Sequence, residues 1–386
     1  MTTSAGASAN ARATVWEMQT ETFAAHAARL HVPLSVTFEL TARCSLKCKM
    51  CYVAMDSRLV DKAGGELPAS KWIDLGRKAI DAGSLYLLLT GGEPLIRDDF
   101  EAIYSELCQM GFILTLNTNA TLMSDRYYDL FSRYPPTAVA VTLYGANPGT
   151  YEKVCGNASG FDAAIRGLEM FSELPVSLAV HTTFIKDNMN ELEQLRSISK
   201  RYTKRFAINN MVFGSTRVNS GAALCRMTPE ECMDVDVANH NYYNALGDSE
   251  REPVDPELDA FFKSLPPDRD YGFDIPPTII SCLAAKSMCW ITWDGKMLPC
   301  GTFSSPYTQP LEEGFTKAWD RLPGLFAKIK HPKPCYDCEL IDACPNCPGY
   351  MQAETGDFET LAPYLCEMSK ERAARYSKLM NGEIRL

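Results

Sequence analysis

Residues 34–51 read Leu34-Ser-Val-Thr-Phe-Glu-Leu40 and then Thr41-Ala-Arg-Cys44-Ser-Leu-Lys-Cys48-Lys-Met-Cys51. The first seven are rich in strand formers and too few for a helix of ordinary length, so they predict a β-strand. The loop after them carries cysteines spaced Cys-x3-Cys-x2-Cys. Outward from this point, short strand-like runs alternate with amphipathic helical ones. Further strands are predicted at Ser84–Leu89, Phe112–Asn117, Ala138–Leu143, Val176–Thr183 and Arg205–Val212. The intervening helices have readable ends. Ser70 opens one that carries Trp72, Ile73 and Ile80 and closes at Gly83. Asp98 or Asp99 opens another, with Phe100, Ile103, Tyr104 and Leu107 on one face and Gly111 at its end. Ser124 and Asn188 open two more. Six β-then-α units in a row predict an α/β fold with a parallel sheet and crossover helices. Six is close to the eight of a complete barrel, so the expected architecture is a partial, open (β/α)6 TIM-like barrel.

The barrel accounts for residues 34–217 of a 386-residue chain. Residues 1–33 form an N-terminal segment, Ala/Ser/Thr-rich at first, with a lead-in helix expected over Trp16–Leu30. Residues 218–280 read as a helical linker, acidic from Thr228 to Leu265 and interrupted by Pro266, Pro267, Pro276 and Pro277. Residues 281–386 hold eight of the 15 cysteines and read as a second, cysteine-rich domain. With 38 basic and 48 acidic side chains the net charge is −10, which argues against a general affinity for nucleic acid or an anionic membrane. No run of 18 apolar residues predicts a membrane span, and the N-terminus lacks the apolar core of a secretory signal. A cytoplasmic location is expected. In that reducing setting an odd number of clustered cysteines points to metal or redox chemistry rather than disulfides.

Three thiolates on one loop at the C-terminal end of a barrel strand can hold three irons of a 4Fe-4S cluster, leaving the fourth iron open. The competing reading is a zinc site completed by a remote residue, or three reduced surface thiols. The second strand then ends in Thr90-Gly91-Gly92-Glu93-Pro94, where paired glycines admit a ligand close to the backbone and a carboxylate can hold an amino group. In the C-terminal region the pattern is Cys282-x6-Cys289-x5-Gly295-x4-Cys300, then Cys335-x2-Cys338-x5-Cys344-x2-Cys347, then Cys366. Eight cysteines with only His331 among them divide into two sets of four. Two further 4Fe-4S clusters suit that count, with a zinc knuckle as the alternative. Cys108, Cys155, Cys225 and Cys232 are left over; packing is the expected role of Cys108, and Cys155, though nearer the expected site, is expected to have no catalytic role.

At these motifs the chain resembles the radical S-adenosylmethionine (SAM) superfamily over roughly Leu34 to Arg217. The resemblance implies that Cys44, Cys48 and Cys51 hold a 4Fe-4S cluster and that SAM binds its open iron. Gly91, Gly92 and Glu93 would receive the SAM amino group, and Thr142 and Lys153 its ribose and carboxylate. Family enzymes usually place an aromatic residue just before the third cysteine, where this chain has Met50. The pattern from Cys282 to Cys366 resembles the SPASM extension found behind many such barrels. By that resemblance Cys282, Cys289, Cys300 and Cys347 would hold one auxiliary cluster and Cys335, Cys338, Cys344 and Cys366 the other. The function implied is maturation of a ribosomally made precursor peptide. A 5′-deoxyadenosyl radical would abstract hydrogen from the peptide, a C–S or C–C crosslink would form, and a flavodoxin or ferredoxin would supply electrons. Oxidation of a residue in a folded protein, as in sulfatase maturation, is the runner-up. Gly301 stands where those enzymes carry an Asp after the auxiliary cysteine. Action on a small molecule and a non-catalytic iron–sulfur or zinc interaction module are the remaining alternatives. The 33 residues before the first strand are too few for a leader-binding domain, so leader recognition is expected to use a separate protein, the core enzyme, or nothing.

Overall fold

The computed structural model describes residues 24, 26–53, 55–215, 221–245 and 282–380. Most of the expected lead-in helix and the proline-rich part of the linker lie outside the described residues. All six predicted strands form: β1 (Ser35–Glu39), β2 (Tyr86–Thr90), β3 (Ile113–Thr118), β4 (Ala138–Thr142), β5 (Ser177–Thr183) and β6 (Phe206–Asn209). They are parallel and neighbour one another in chain order, and the sheet stays open. Crossover helices cover one face: α1 (Ala69–Asp81), α2 (Phe100–Gln109), α3 (Asp125–Arg133), α4 (Pro148–Cys155), α5 (Gly160–Ser172) and α6 (Leu192–Ser199). On α2 the residues Phe100, Ile103, Tyr104 and Leu107 are fully buried, the i, i+3, i+4, i+7 stripe that an amphipathic helix lays on a core. Trp72 of α1 packs on Phe38 of β1 with ring centroids 5.0 Å apart. That contact fixes which face of β1 meets the helices.

The cysteine-rich region is joined to the sheet more closely than a separate domain would be. Strand β7 (Met288–Ile291) runs parallel to β1, and β8 (Met297–Leu298) closes a hairpin on it, so the sheet order is β6-β5-β4-β3-β2-β1-β7-β8. Pairing with β7 satisfies the N–H and C=O groups that β1 would otherwise expose as an edge. Helix α7 (Pro229–Ala245) precedes this region, and helices α8 (Phe315–Phe326), α9 (Pro348–Thr355) and α10 (Pro363–Met380) follow the hairpin, joined by turns and loops. Helix α9 docks on the segment after β6. Gly214 has no room for a Cβ against the Ala353 carbonyl, its N–H donates to Glu354 at 3.0 Å, and Arg226 pairs with Glu354 at 2.7 Å. Arg226 also lies 3.7 Å over the ring of Tyr364.

One buried cation ties the rim together. Arg97, 4% exposed, donates to the carbonyls of Leu40 at 2.7 Å and Leu67 at 2.9 Å and pairs with Asp99 and Glu66. Glu66 in turn takes Arg43 and Thr41 at the start of the cysteine loop. Arg97→Met should therefore strand two carbonyls and part of a carboxylate network, at a cost of about 3–5 kcal/mol. Urea unfolding monitored by circular dichroism measures it, and a loss below about 1 kcal/mol would show the network to be incidental.

Candidate functional site

The strand ends converge on a cavity of about 210 Å³ at the C-terminal rim of the barrel. Its walls come from successive strand exits: Cys48, Met50, Cys51 and Tyr52 after β1, Thr90, Gly91 and Gly92 at β2, Asn117, Thr118 and Asn119 at β3, Thr142 and Tyr144 at β4, Thr183 at β5, Asn209 at β6 and Phe213 beyond it. Such a rim is where βα-loops of this architecture assemble chemistry.

The cysteine loop is held against its neighbours by backbone bonds. Lys47 and Lys49 donate to the carbonyls of Cys155 and Val154 at the end of α4, and Met55 donates to Ala42. Gly92 and Glu93 donate to the carbonyls of Thr41 and Arg43. That approach needs glycine: a Cβ on Gly91, at φ +156°, would lie 2.5 Å from the Thr41 carbonyl, and one on Gly92 would meet the carbonyls of Arg43 and Ala42.

The three thiols of the loop lie close together. Burial, then Glu93, Cys48 and Cys51, push the Cys44 thiol up. A hydrogen bond with the Cys155 thiol, then burial, raise Cys48, and the Tyr144 hydroxyl opposes them by hydrogen bonding to the sulfur. The Asn119 side-chain N–H donates to Cys44 Sγ at 3.5 Å. Unpaired thiolates crowded in this way would repel, and a group that binds several thiolates removes the conflict. Three thiols gathered on one loop fit a group that binds several thiolates at once, as a 4Fe-4S cluster does.

Glu93 sits behind the cavity wall rather than on it. It is fully buried and accepts from Leu95 N–H at 3.1 Å, Thr118 hydroxyl at 2.8 Å and Asn119 N–H at 2.7 Å. It thus locks the β2 exit to the β3 exit. Burial pushes its carboxyl up from the ordinary 4.5 to about 7, against the pull of those three donors. The folded value exceeds the unfolded one, so the stability this group contributes is complete below pH 4.5 and is lost as pH rises to about 7. The loss is roughly 3 kcal/mol. Urea titrations of the metal-free protein at about pH 5 and about pH 7.5 should show it in wild type and not in Glu93→Gln. Equal slopes in the two proteins would contradict the burial argument.

Lys153 is placed away from the cavity. Helix α4 buries Thr150, Tyr151, Val154 and Cys155, and the same 3.6-residue period turns Lys153 out to solvent. Thr142 does line the cavity. Asn117 and Asn119, ordinary turn residues by sequence, also line it, and so does Tyr144. The signal for them was their position one or two residues past a strand end.

In the C-terminal region two groups of cysteines assemble. Burial, then Cys344, Cys366 and Cys338, raise Cys335 to about 11. Burial raises Cys347 to about 11, opposed by the N–H groups of Tyr350 and Gly349, with Cys300 and Cys282 adding to the rise. The Cys300 and Cys347 loops touch directly, since a Cβ on Gly349 would lie 3.0 Å from Thr302 Cβ and 3.1 Å from the Phe303 ring. Cys289 is not with them. It is fully buried on β7 in register with Val36, on the face that Phe38 and Ile291 share, toward the helices. A strand alternates its faces, so Trp290 takes the opposite side, where its indole donates to Glu39 at 2.7 Å and its ring lies 2.9 Å from the Cβ position of Gly301. Cys300 is therefore on the other face of the sheet from Cys289.

An open parallel barrel carries a three-cysteine loop over its rim cavity, and comparison with known proteins specifies the class. Residues 38–197 match the sequence model of the Radical SAM superfamily. This part of the chain is a radical SAM domain, which implies S-adenosylmethionine, a 4Fe-4S cluster and an enzyme with a radical-type reaction. The chain is similar to the AdoMet-dependent heme synthase of Methanosarcina barkeri, 24% identical over 87% of this chain and 97% of that protein. It is also 24% identical to the PqqA peptide cyclase of Bradyrhizobium diazoefficiens, over 44% of this chain and 43% of the relative. Its fold is similar to that of Streptococcus suis SuiB bound to precursor peptide SuiA, with TM-score 0.65 and 17% identity over 95% of this chain and 83% of that one. Among the described residues no helix is long and apolar enough to cross a membrane.

Proposed function

We propose that this enzyme matures a precursor peptide by joining a peptide carbon to a neighbouring side chain through a C–S or C–C bond. In this reading Cys44, Cys48 and Cys51 hold the SAM-binding cluster, and the C-terminal cysteines hold two auxiliary clusters in a SPASM-like arrangement. When bound, the cluster and SAM supply a 5′-deoxyadenosyl radical able to take hydrogen from an unactivated C–H bond. The chain's own part is positioning. The backbone at Gly91 and Gly92 and the side chains of Thr142, Asn117 and Asn119 offer donors and acceptors for the polar groups of SAM, and Tyr52, Met50 and Phe213 exclude water beside them. A precursor peptide is then the macromolecular partner, and a flavodoxin or ferredoxin is the electron donor.

The observation that carries the peptide reading is the likeness of the fold to SuiB bound to its precursor peptide, joined by the similarity of the barrel region to PqqA peptide cyclase. The second reading, a heme-type macrocycle, is favoured by the similarity to heme synthases over nearly their whole length. Such a macrocycle brings carboxylate arms that call for cationic partners. The experiment that separates the two is anaerobic turnover with SAM, reductant and either the peptide encoded beside the gene or an iron porphyrin. Peptide lighter by two hydrogens per crosslink supports the proposal. Porphyrin consumption with unchanged peptide mass overturns it.

A further inference from the structure

Closing a crosslink removes two hydrogens from the peptide, and the second of them needs an acceptor. Resting on the crosslinking reading above, we infer that His181 of β5 is the catalytic residue that takes it, as a proton. The peptide C–H bond breaks first, and its hydrogen atom goes to the deoxyadenosyl carbon. The peptide carbon then bonds to the sulfur of a thiol or to a carbon of an aromatic ring. As that bond forms, the S–H or ring C–H bond breaks. Its proton goes to His181, and the remaining electron goes to an oxidised iron–sulfur cluster of the auxiliary region. The proton is the part that a side chain of the barrel must handle.

The register of the sheet puts His181 beside the rim cavity. Val141, Val180 and Phe206 are partners on β4, β5 and β6, and all three are buried on the face that the helices cover. Strand residues alternate faces, so His181 stands on the inner face of the open barrel. There its direct partner on β4 is Thr142, and Thr183, two residues further along β5, pairs with Asn209 on β6. Those three residues line the cavity, and neighbouring strands are about 4.8 Å apart. The imidazole is thus one side chain from the cavity wall. Solvent also reaches it, since β5 lies next to the edge strand β6, and a proton taken here has a way out. Among the inner-face positions of the six barrel strands only Glu39, Tyr86 and His181 ionise. Glu39 is fully buried and accepts from the Trp290 indole at 2.7 Å. Tyr86 opens β2, at the end away from the cysteine loop. Desolvation by the surrounding strands holds the His181 imidazole below the usual 6.5, with uncharged Ala140, Thr142, Ala207 and Asn209 beside it on β4 and β6. At neutral pH the ring is uncharged and accepts a proton.

The test uses the full chain, reconstituted anaerobically with iron and sulfide and supplied with SAM, reductant and the peptide encoded beside the gene. Crosslinked peptide and 5′-deoxyadenosine are counted in the same samples by mass spectrometry. His181→Ala and His181→Gln should each lower crosslinked peptide by about 10²-fold. The fall should be much steeper than that of 5′-deoxyadenosine, because hydrogen abstraction precedes the proton transfer. Added imidazole should restore crosslinking to the Ala variant, which leaves room for it, and not to the Gln variant. Circular dichroism and iron content check that each variant is folded and loaded. In the metal-free protein the His181 ring signal in a nuclear magnetic resonance spectrum, assigned by its loss from His181→Gln, should titrate below 6.5. Wild-type crosslinking in either variant, loss of both products in equal proportion, failure of imidazole to rescue the Ala variant, or a ring that titrates above 6.5 would overturn the inference. A wild-type enzyme that leaves the peptide unchanged would instead sink the peptide reading itself, and the inference with it.

Discussion

Replacing Cys48 with alanine is expected to reduce SAM cleavage to the protein-free background and to lower the iron content by about four per chain. The residue lies in the middle of the Cys44–Cys51 loop, with its sulfur against Tyr144 and Cys155, on the wall of the rim cavity. Removing one of three thiolates leaves two, too few to anchor a cluster that also needs an open iron. The informative control is Cys155→Ala. Cys155 is buried on α4 and hydrogen-bonds to Cys48, yet it is absent from the cavity wall. It should keep its iron and its SAM cleavage while losing about 1–2 kcal/mol of stability from the smaller side chain. If the two variants behave alike, the division between ligand and packing cysteine fails.

Gly92→Ala should have the second-largest effect, although it removes no polar group. The new methyl would meet backbone carbonyls of Ala42 and Arg43 on one side, and backbone cannot rotate away as a side chain can. The loop that begins at Thr41 must then shift, with Cys44 at its start. Overpacking of this kind costs about 1–3 kcal/mol of stability. The larger consequence is positional, since a displacement of about 1 Å at reacting groups lowers rates by about 10²-fold. SAM cleavage measured as 5′-deoxyadenosine should therefore fall much further than the melting temperature suggests. A variant with wild-type cleavage would mean that the β2 exit does not set the position of the cysteine loop.

The barrel was legible because each of its strands announces itself by composition, and because α2 repeats its apolar residues at helical spacing. What the linear pattern could not carry was the side of the sheet on which a residue falls. Cys289 has a spacing that suits a ligand set, but a strand turns alternate residues to opposite faces, and only the register of β7 on β1 assigns it to the helical face. The same limit applies to Lys153, whose helix buries its neighbours and turns it outward. Asn117 and Asn119 failed in the other direction. They read as turn residues, and they are, but the turns lie on the rim where several strand ends meet. The docking of β7 beside β1 was also hidden, since a four-residue strand some 250 positions away leaves no local signal of its partner.

The most direct test of the central claim, that the cysteines of this chain are cluster ligands serving SAM chemistry, is metal and product analysis of one anaerobic sample. Protein reconstituted with iron and sulfide should carry about 12 Fe per chain, and on reduction with SAM it should release 5′-deoxyadenosine. Zinc in place of iron, with SAM left intact, would contradict the account.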